Sequence, residues 1–206
     1  MKKLYPGLLI ALEGVDGSGK SSLAHNLYYR LKDLDKKVVL TKEPSGTPFG
    51  EKVYTTLINA DYMLTPEAEF LLFAASRAEH FDKVVIPQLK EGSIVLSDRM
   101  GDSSIIYQGY AHDRDLSMFH TINNWAMHAI KPSITFYIHI DIATALDRIK
   151  KRNSALHIFE KERFLEKTIT GFDLLYKDRT DVIILDGTLD PMVLAQQALE
   201  SIMQTL

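Results

Sequence analysis

Glu13 to Ser22 reads Glu-Gly-Val-Asp-Gly-Ser-Gly-Lys-Ser-Ser. The stretch Gly14-Val15-Asp16-Gly17-Ser18-Gly19-Lys20-Ser21 satisfies G-x-x-x-x-G-K-[ST] in full. Each part has a physical task. The glycines let the backbone wrap an anion and aim its N–H groups inward. Lys20 supplies a point charge to β- and γ-phosphates, and the Ser21 hydroxyl is a ligand for Mg²⁺. A helix opening at Lys20 adds the positive end of its dipole. Residues Gly14 to Ser22 are therefore candidate nucleotide-binding residues, and the cradle alone leaves GTPase, ATPase and small-molecule kinase open. A chance match in a chain of this length is about a one-in-a-hundred event. Further on, "VLSDRM" ends an apolar run in Asp98-Arg99. A carboxylate at the carboxyl end of a parallel strand faces the ligand crevice, where it holds Mg²⁺ directly or through water. The adjacent guanidinium is a planar fork for phosphate. The alternative for this pair is an ordinary surface Asp–Arg pair at a strand end. "TKEPSGTPFGE", Thr41 to Glu51, carries more Pro and Gly than a plain connection requires.

These residues need a scaffold. Leu8–Leu12, Val38–Thr41, Ile94–Ser97, Ile134–Ile140 and Val182–Leu185 are short, nearly continuous apolar runs. That pattern predicts parallel strands covered on both faces. Amphipathic segments separate them: Ser21–Leu34, Pro66–Leu89, Asp115–Ala129, Ile142–Lys151, Phe159–Tyr176 and Pro191–Leu206. Alternating strands and helices predict an α/β fold: a doubly wound, five-stranded parallel sheet flanked by helices. The strand before the glycine loop and the helix after it are the context that the loop requires. The expectation is one domain over residues 1–206. Residues 150–160 are polar, basic and weakly periodic, and are read as a short lid. Trp125, on a helix, is expected in the core.

The chain has 206 residues and is 46% hydrophobic, enough for one substantial core. Its formal charge of −3 gives no global basic field, so nucleic acid is not an expected partner. There is no cysteine, which excludes disulfides and thiolate metal sites and fits a reducing cytoplasm. Two lysines and an apolar stretch open the chain, but Pro6 and Gly7 interrupt it and Glu13 and Asp16 follow, so Leu8–Leu12 reads as a strand and not a leader. No run approaches the roughly 18 apolar residues of a membrane span.

Four ordered stretches together resemble the thymidylate kinase family, P-loop enzymes that phosphorylate dTMP to dTDP with ATP and Mg²⁺. They are "ALEGVDGSGKSS", "TKEPSGTPFGEKV", "EFLLFAASRAEH" and "SDRMGDSSIIYQG", and the resemblance covers nearly the whole chain. It implies a nucleoside monophosphate kinase fold and roles for individual residues. Glu43 and Pro44 stand in the substrate-side loop. Phe73 resembles the aromatic that stacks on thymine, and Arg77, one helical turn later, the arginine that hydrogen-bonds the base. Arg99 resembles the arginine that grips the dTMP phosphate, and Asp16 the loop carboxylate facing the 3′-hydroxyl. Tyr107 resembles the aromatic that closes the space of a ribose 2′-hydroxyl. Ser103, Ser104 and Gln108 complete the substrate side. Without the resemblance, Phe73 is an ordinary core residue, Arg77 a solvated one, and "SSIIYQG" a helix start capped by Ser103. A homodimer is also implied, with the Phe70–Phe81 helix and Phe119–Trp125 as candidate surfaces.

Departures from the family pattern are specific. Lys42 stands where Arg is usual, Ser45 replaces a common Gly, Tyr54 replaces an Arg, and Met100 replaces an aromatic. The usual Asp-Arg before Phe159-Glu160 is missing, and the variable loop positions 15–18 carry no cation. Arg148 and Arg152, at the R-x-x-x-R spacing, are then the candidate lid cations, with Lys151 as a further one. The expected catalytic residues are Lys20, Arg99, Arg152 and Arg148, and the expected metal ligands Ser21 and Asp98. The alternatives are a kinase of another deoxynucleotide or of a nucleoside, or a catalytically weakened nucleotide-binding homologue. A GTP-binding switch lacks its N-K-x-D type element here.

Overall fold

The structure, a computed structural model, describes residues 4–59, 61–152 and 158–206, with the side chains of 152 and 158–161 left out. Strands β1 (Leu8–Glu13), β2 (Val38–Lys42), β3 (Ile94–Asp98), β4 (Ile134–His139) and β5 (Val182–Asp186) form one parallel sheet in the order β2-β3-β1-β4-β5. Each matches an apolar run of the sequence to within a residue or so. The register sets Leu12 beside Asp98 and Glu13 beside Tyr137, so β1, β3 and β4 end at one edge.

β1 is buried on both faces, and its side chains sort with a period of two. Leu8, Ile10 and Leu12 pack with Leu23, Leu27 and Leu31 of α1 (Lys20–Asp33) and with Leu194, Ala198 and Ile202 of α9 (Pro191–Thr205). Leu9 and Ala11 face the other way, onto Phe81, Val85 and Leu89. The helices therefore cover both faces, which is why the strands read as continuous apolar runs.

The long segment 66–90 runs as α3 (Pro66–His80), a π-helical turn (Phe81–Val85) and α4 (Ile86–Lys90). Thr65 caps it by accepting from the Ala68 amide, and Pro66 takes the first helical position. A helix the hydrophobic periodicity did not reveal, α2 (Pro48–Ile58), opens the same way, with the Thr47 side chain accepting from the Gly50 amide at 3.0 Å. After β3 come α5 (Gly101–Ser104), a π-helical turn (Ile105–Gly109) and a 3₁₀ turn (Tyr110–His112). α6 (Leu116–Ala126), α7 (Ile142–Arg152) and α8 (Ile158–Tyr176) complete the helices named here. Most of the expected lid, 150–160, lies outside the described side chains.

Two expectations are corrected. Trp125 is 76% exposed and not in the core, because the inward face of α6 is taken by Phe119, Asn123 and Ala126. Ser103 is no helix cap. Met100 occupies the cap position of α5 without a side-chain bond, and Ser103 Oγ is committed elsewhere.

Candidate active site

Three cavities run along the carboxyl edge of the sheet and share walls. The first, about 400 Å³, is lined by Asp16, Glu43, Pro44, Tyr54, Leu57, Ile58, Phe73, Arg77, Arg99, Met100, Ser103, Ser104, Tyr107 and Gln108. All ten residues expected on the substrate side are in that wall. Asp16, Glu43 and Arg99 also line the second, a polar cleft of about 150 Å³ with Lys20, Ser21, Ser22, Lys42 and Asp98. Gly17, Gly19 and Ser22 carry on into the third, about 260 Å³, which is closed by Ser18, Leu23, Arg148, Gly187, Leu189, Pro191 and Leu194. An apolar slot, a charged neck and a second slot form one continuous groove.

The glycine loop is shaped by its neighbours. Gly14 has φ 144°, and a Cβ there would meet the Ile138 carbonyl oxygen at 2.6 Å. Gly19 has φ 103° at the start of α1, and a Cβ there would have nothing within 4 Å, so the loop opens at the helix N-terminus. Lys20 Nζ donates to Val15 O at 2.8 Å and to Ser18 Oγ at 3.5 Å, which folds the ammonium over the loop. Burial pulls Lys20 down to about 7. Arg99 pushes it the same way, while Asp16, Asp98 and Glu13 oppose. An incoming polyphosphate restores its charge by Coulombic attraction. Val15, by contrast, is a buried apolar side chain packed with Ala145 and Phe172.

Ser21 Oγ donates to Asp98 Oδ2 at 2.5 Å, so the two expected metal ligands, 77 residues apart, converge in the neck. One hydroxyl and one carboxylate suit Mg²⁺, which keeps several waters and takes few protein oxygens beside phosphate. Among the described residues no group of three or more His, Cys, Asp or Glu forms a separate metal cage.

Arg99 stands between neck and slot. Its φ is 71°, uncommon for a residue with a Cβ. The guanidinium donates to Ser103 Oγ at 2.9 Å, Gly14 O at 3.3 Å and Tyr107 Oη at 3.5 Å, and pairs with Asp16. It also lies over the Tyr107 ring at 5.1 Å. Burial raises the Tyr107 hydroxyl above its ordinary pKa, with Arg99 opposing, so it stays a neutral donor.

Arg77 is only 1% exposed, not solvated. Its Nε donates to Glu43 at 2.7 Å, Nη1 to Asn123 Oδ1 at 2.5 Å, and Nη2 to Ser104 Oγ at 2.9 Å. Glu43 also meets His80 Nδ1 at 3.3 Å, and His80 Nε2 lies 2.7 Å from Thr41 Oγ1. Burial pushes the Glu43 carboxyl up, but Arg77 with His80 overrides it and leaves it below the ordinary value. Ser76 Oγ donates to Pro44 O at 2.7 Å, tying α3 to the Pro-rich loop. Phe73 is half-buried and faces the slot, so it is no ordinary core residue. Gln108 Nε2 reaches Glu69 at 3.4 Å.

The family model for thymidylate kinase matches residues 12–198. A thymidylate kinase from Thermosipho africanus is 43% identical over 183 residues, covering 88% of this chain and 90% of that protein. One from Chlorobaculum parvum is 34% identical over 206 residues, covering 95% of each. The crystal structure of thymidylate kinase from Ehrlichia chaffeensis superposes with a TM-score of 0.78 at 30% identity, over 95% of this chain and 98% of that one. The chain belongs to the thymidylate kinase family. It is thus a nucleoside monophosphate kinase, a transferase acting on a phosphate acceptor.

Against that family, the groove shows what sequence reasoning reached and missed. Arg148 Nη1 donates to Gly17 O at 3.1 Å and Ser18 O at 3.5 Å, so a cation does stand on the loop. The Arg152 side chain lies outside the described residues. Tyr54, noted only as a departure, lines the first cavity with Leu57 and Ile58. The third cavity owes Gly187 and Leu189 to the turn after β5 and Pro191 to the start of α9, and "LDG" at a strand end was the available signal. Glu13, Asn123 and His80 were missed because their roles arise only from what they face.

Proposed function

We propose that this protein transfers the terminal phosphoryl group of ATP to dTMP, giving dTDP, with Mg²⁺ held at Ser21 and Asp98. The observation that carries this reading is the groove itself: two slots joined by a charged neck that both Lys20 and Arg99 line. The thymine ring lies against Phe73 with Arg77, Ser104 and Gln108 at its polar edge. Asp16 faces the 3′-hydroxyl, and Tyr107 fills the space of a 2′-hydroxyl. Arg99 holds the acceptor phosphate. ATP lies along Gly14 to Ser22, its base end reaching toward Arg148 and Leu189.

Phosphoryl transfer asks a protein for alignment and charge neutralisation more than for covalent chemistry. Ser21 and Asp98 would hold Mg²⁺, which when bound would supply positive charge to the phosphates of ATP. Lys20, the loop amides and Arg99 would neutralise the rest from fixed positions. No protein base is required, because the attacking oxygen of dTMP is already ionised. Residues 1–206 would act as one kinase unit, and a lid over about 150–160, with Arg148 and Arg152 as its cations, would exclude water that otherwise hydrolyses ATP. We place a homodimer surface on the outer faces of α3 and α6, where Leu71, Met118 and Trp125 are exposed, and the protein in the cytoplasm. Among the described residues no helix is long and apolar enough to cross a membrane.

The test is ATP turnover with Mg²⁺, alone and with dTMP, dUMP or thymidine. The reading requires dTMP to be phosphorylated best. Preferred phosphorylation of thymidine, or ATP turnover indifferent to all three, overturns it.

A further inference from the structure

Glu13 ends β1 immediately before the glycine loop, and its side chain is fully buried. Oε1 accepts from the Met100 amide at 2.8 Å and the Ser103 amide at 3.4 Å. Oε2 accepts from Ser103 Oγ at 2.5 Å. Having donated its hydroxyl proton to Glu13, Ser103 uses a lone pair to accept from Arg99 Nη1. The direction of the chain is therefore fixed: Arg99 to Ser103 to Glu13. Main-chain bonds on either side complete the hold, since Arg99 N donates to Leu12 O at 3.0 Å and Arg99 Nη1 to Gly14 O. Three successive residues, 12 to 14, thus locate Arg99.

We propose that Glu13 is a positioning residue for the acceptor phosphate: it holds Ser103 and the Met100 backbone so that the Arg99 guanidinium stands at the mouth shared by slot and neck. This deepens the dTMP kinase reading and rests on it. Two features separate the role from plain core stability. Each hydrogen-bond partner named for Glu13 lies on residues 100–103, the segment that carries the acceptor side. The segment also needs an outside hold. Arg99 keeps a sparsely populated backbone conformation, which persists only where its surroundings over-determine it. α5 likewise has Met100 at its cap position, which offers no oxygen, and Glu13 supplies the missing acceptor from β1. A glutamine keeps an oxygen for the two amides but turns the bond to Ser103 round, which leaves the hydroxyl proton without this acceptor and removes the negative charge behind Arg99.

The clamp also responds to pH. Burial raises Glu13 to about 7, Asp102 pushing the same way, and the Ser103 bond, Arg99 and the Met100 amide opposing. The charged or titratable groups around it are Asp102 on α5, Arg99 after β3, Lys20 at the start of α1 and Tyr176 at the end of α8. The ionised carboxylate is the form that accepts all three donors.

The experiment compares steady-state kinetics of wild type, Glu13→Gln, Ser103→Ala and the double variant from pH 6 to 8.5. At pH 8, Glu13→Gln should raise the KM for dTMP on the order of tenfold, the scale of one mis-set charged hydrogen bond, with the KM for ATP unchanged within about twofold. Ser103→Ala should do the same, and the double variant should be no worse than the worse single, because both break one chain. The wild-type advantage should shrink as pH falls through about 7. Lys20 and the phosphate of dTMP itself titrate in the same range, but they are common to both proteins and cancel in the ratio. Equal changes in the two KM values, additive single effects or a pH-independent ratio overturn the proposal. If Glu13→Gln does not fold, Ser103→Ala decides alone: an unchanged KM for dTMP overturns it. A wild type that ignores dTMP overturns the kinase reading instead.

Discussion

Replacing Arg77 by Met tests how the acceptor wall is held. Met keeps a flexible apolar stem in place of the Arg77 stem and ends where the guanidinium begins, so what is removed is chiefly charge and hydrogen bonding. Arg77 is buried and donates to Glu43, Asn123 and Ser104. Its loss leaves Glu43, 8% exposed, with His80 at 3.3 Å. Breaking a buried pair by deleting one partner costs about 3–5 kcal/mol, against a total of about 5–15 kcal/mol for an ordinary protein. The sign of the pH dependence follows. In the wild type Glu43 lies below its ordinary value, so native and unfolded chains both hold it ionised from pH 6 to 8 and it contributes no slope there. Without Arg77, burial dominates and the native carboxyl takes a proton that the unfolded chain does not. Stability of the variant then falls as pH rises, by up to about 1.4 kcal/mol per pH unit. Urea unfolding followed by circular dichroism at pH 6 and pH 8 measures both effects. The deficit should be larger at pH 8. A loss under about 1 kcal/mol at both pH values, or an equal loss at each, would refute the account of Glu43 as a carboxylate kept ionised by Arg77.

Lys20→Ala should lower turnover by about a hundredfold or more in a protein with unchanged circular dichroism. Because native Lys20 sits at about 7 and unfolded lysine near 10.5, wild-type stability should rise with pH across that window, and this rise should be missing in the variant. Tyr107→Ala should raise turnover of the ribonucleotide relative to dTMP, and an unchanged ratio in competition assays would remove its steric role. Arg148→Ala should lower kcat and weaken ATP, while Arg99→Ala should weaken dTMP directly. Measured alongside, Arg152→Ala with kcat within about twofold, under roughly half a kcal/mol of barrier, would leave Arg148 as the lid cation.

The strands were legible because helices cover both faces of the sheet, so burial is written into consecutive residues. The glycine loop was legible because close approach to phosphate permits few residue types. α2 was not, since its apolar face belongs to the slot: Leu57 and Ile58 are exposed or half-exposed there, beside the exposed Tyr54. Its Thr47-Pro48 start was the readable signal. The two π-helical turns have no sequence period of their own, yet one of them carries Tyr107 and Gln108. Asn123 and His80 look like any polar residue on a helix until Arg77 and Glu43 are brought against them. Trp125 was misread because the inward stripe of α6 is filled by Phe119, Asn123 and Ala126 and leaves no place for it.

β1 lies between β3 and β4. β1 is made before either of its neighbours, and its second edge is covered only when β4 arrives. β3 is complete at Asp98, and β4 begins to pair only at Ile134. At about 5–20 residues per second, the nascent chain spends on the order of 2–7 s with one row of N–H and C=O groups of "LLIALE" bare. An apolar strand in that condition is a template for pairing with other chains. Translation speed across the intervening α5–α6 segment therefore sets how long each copy is exposed to aggregation, an exposure that the finished sheet no longer carries.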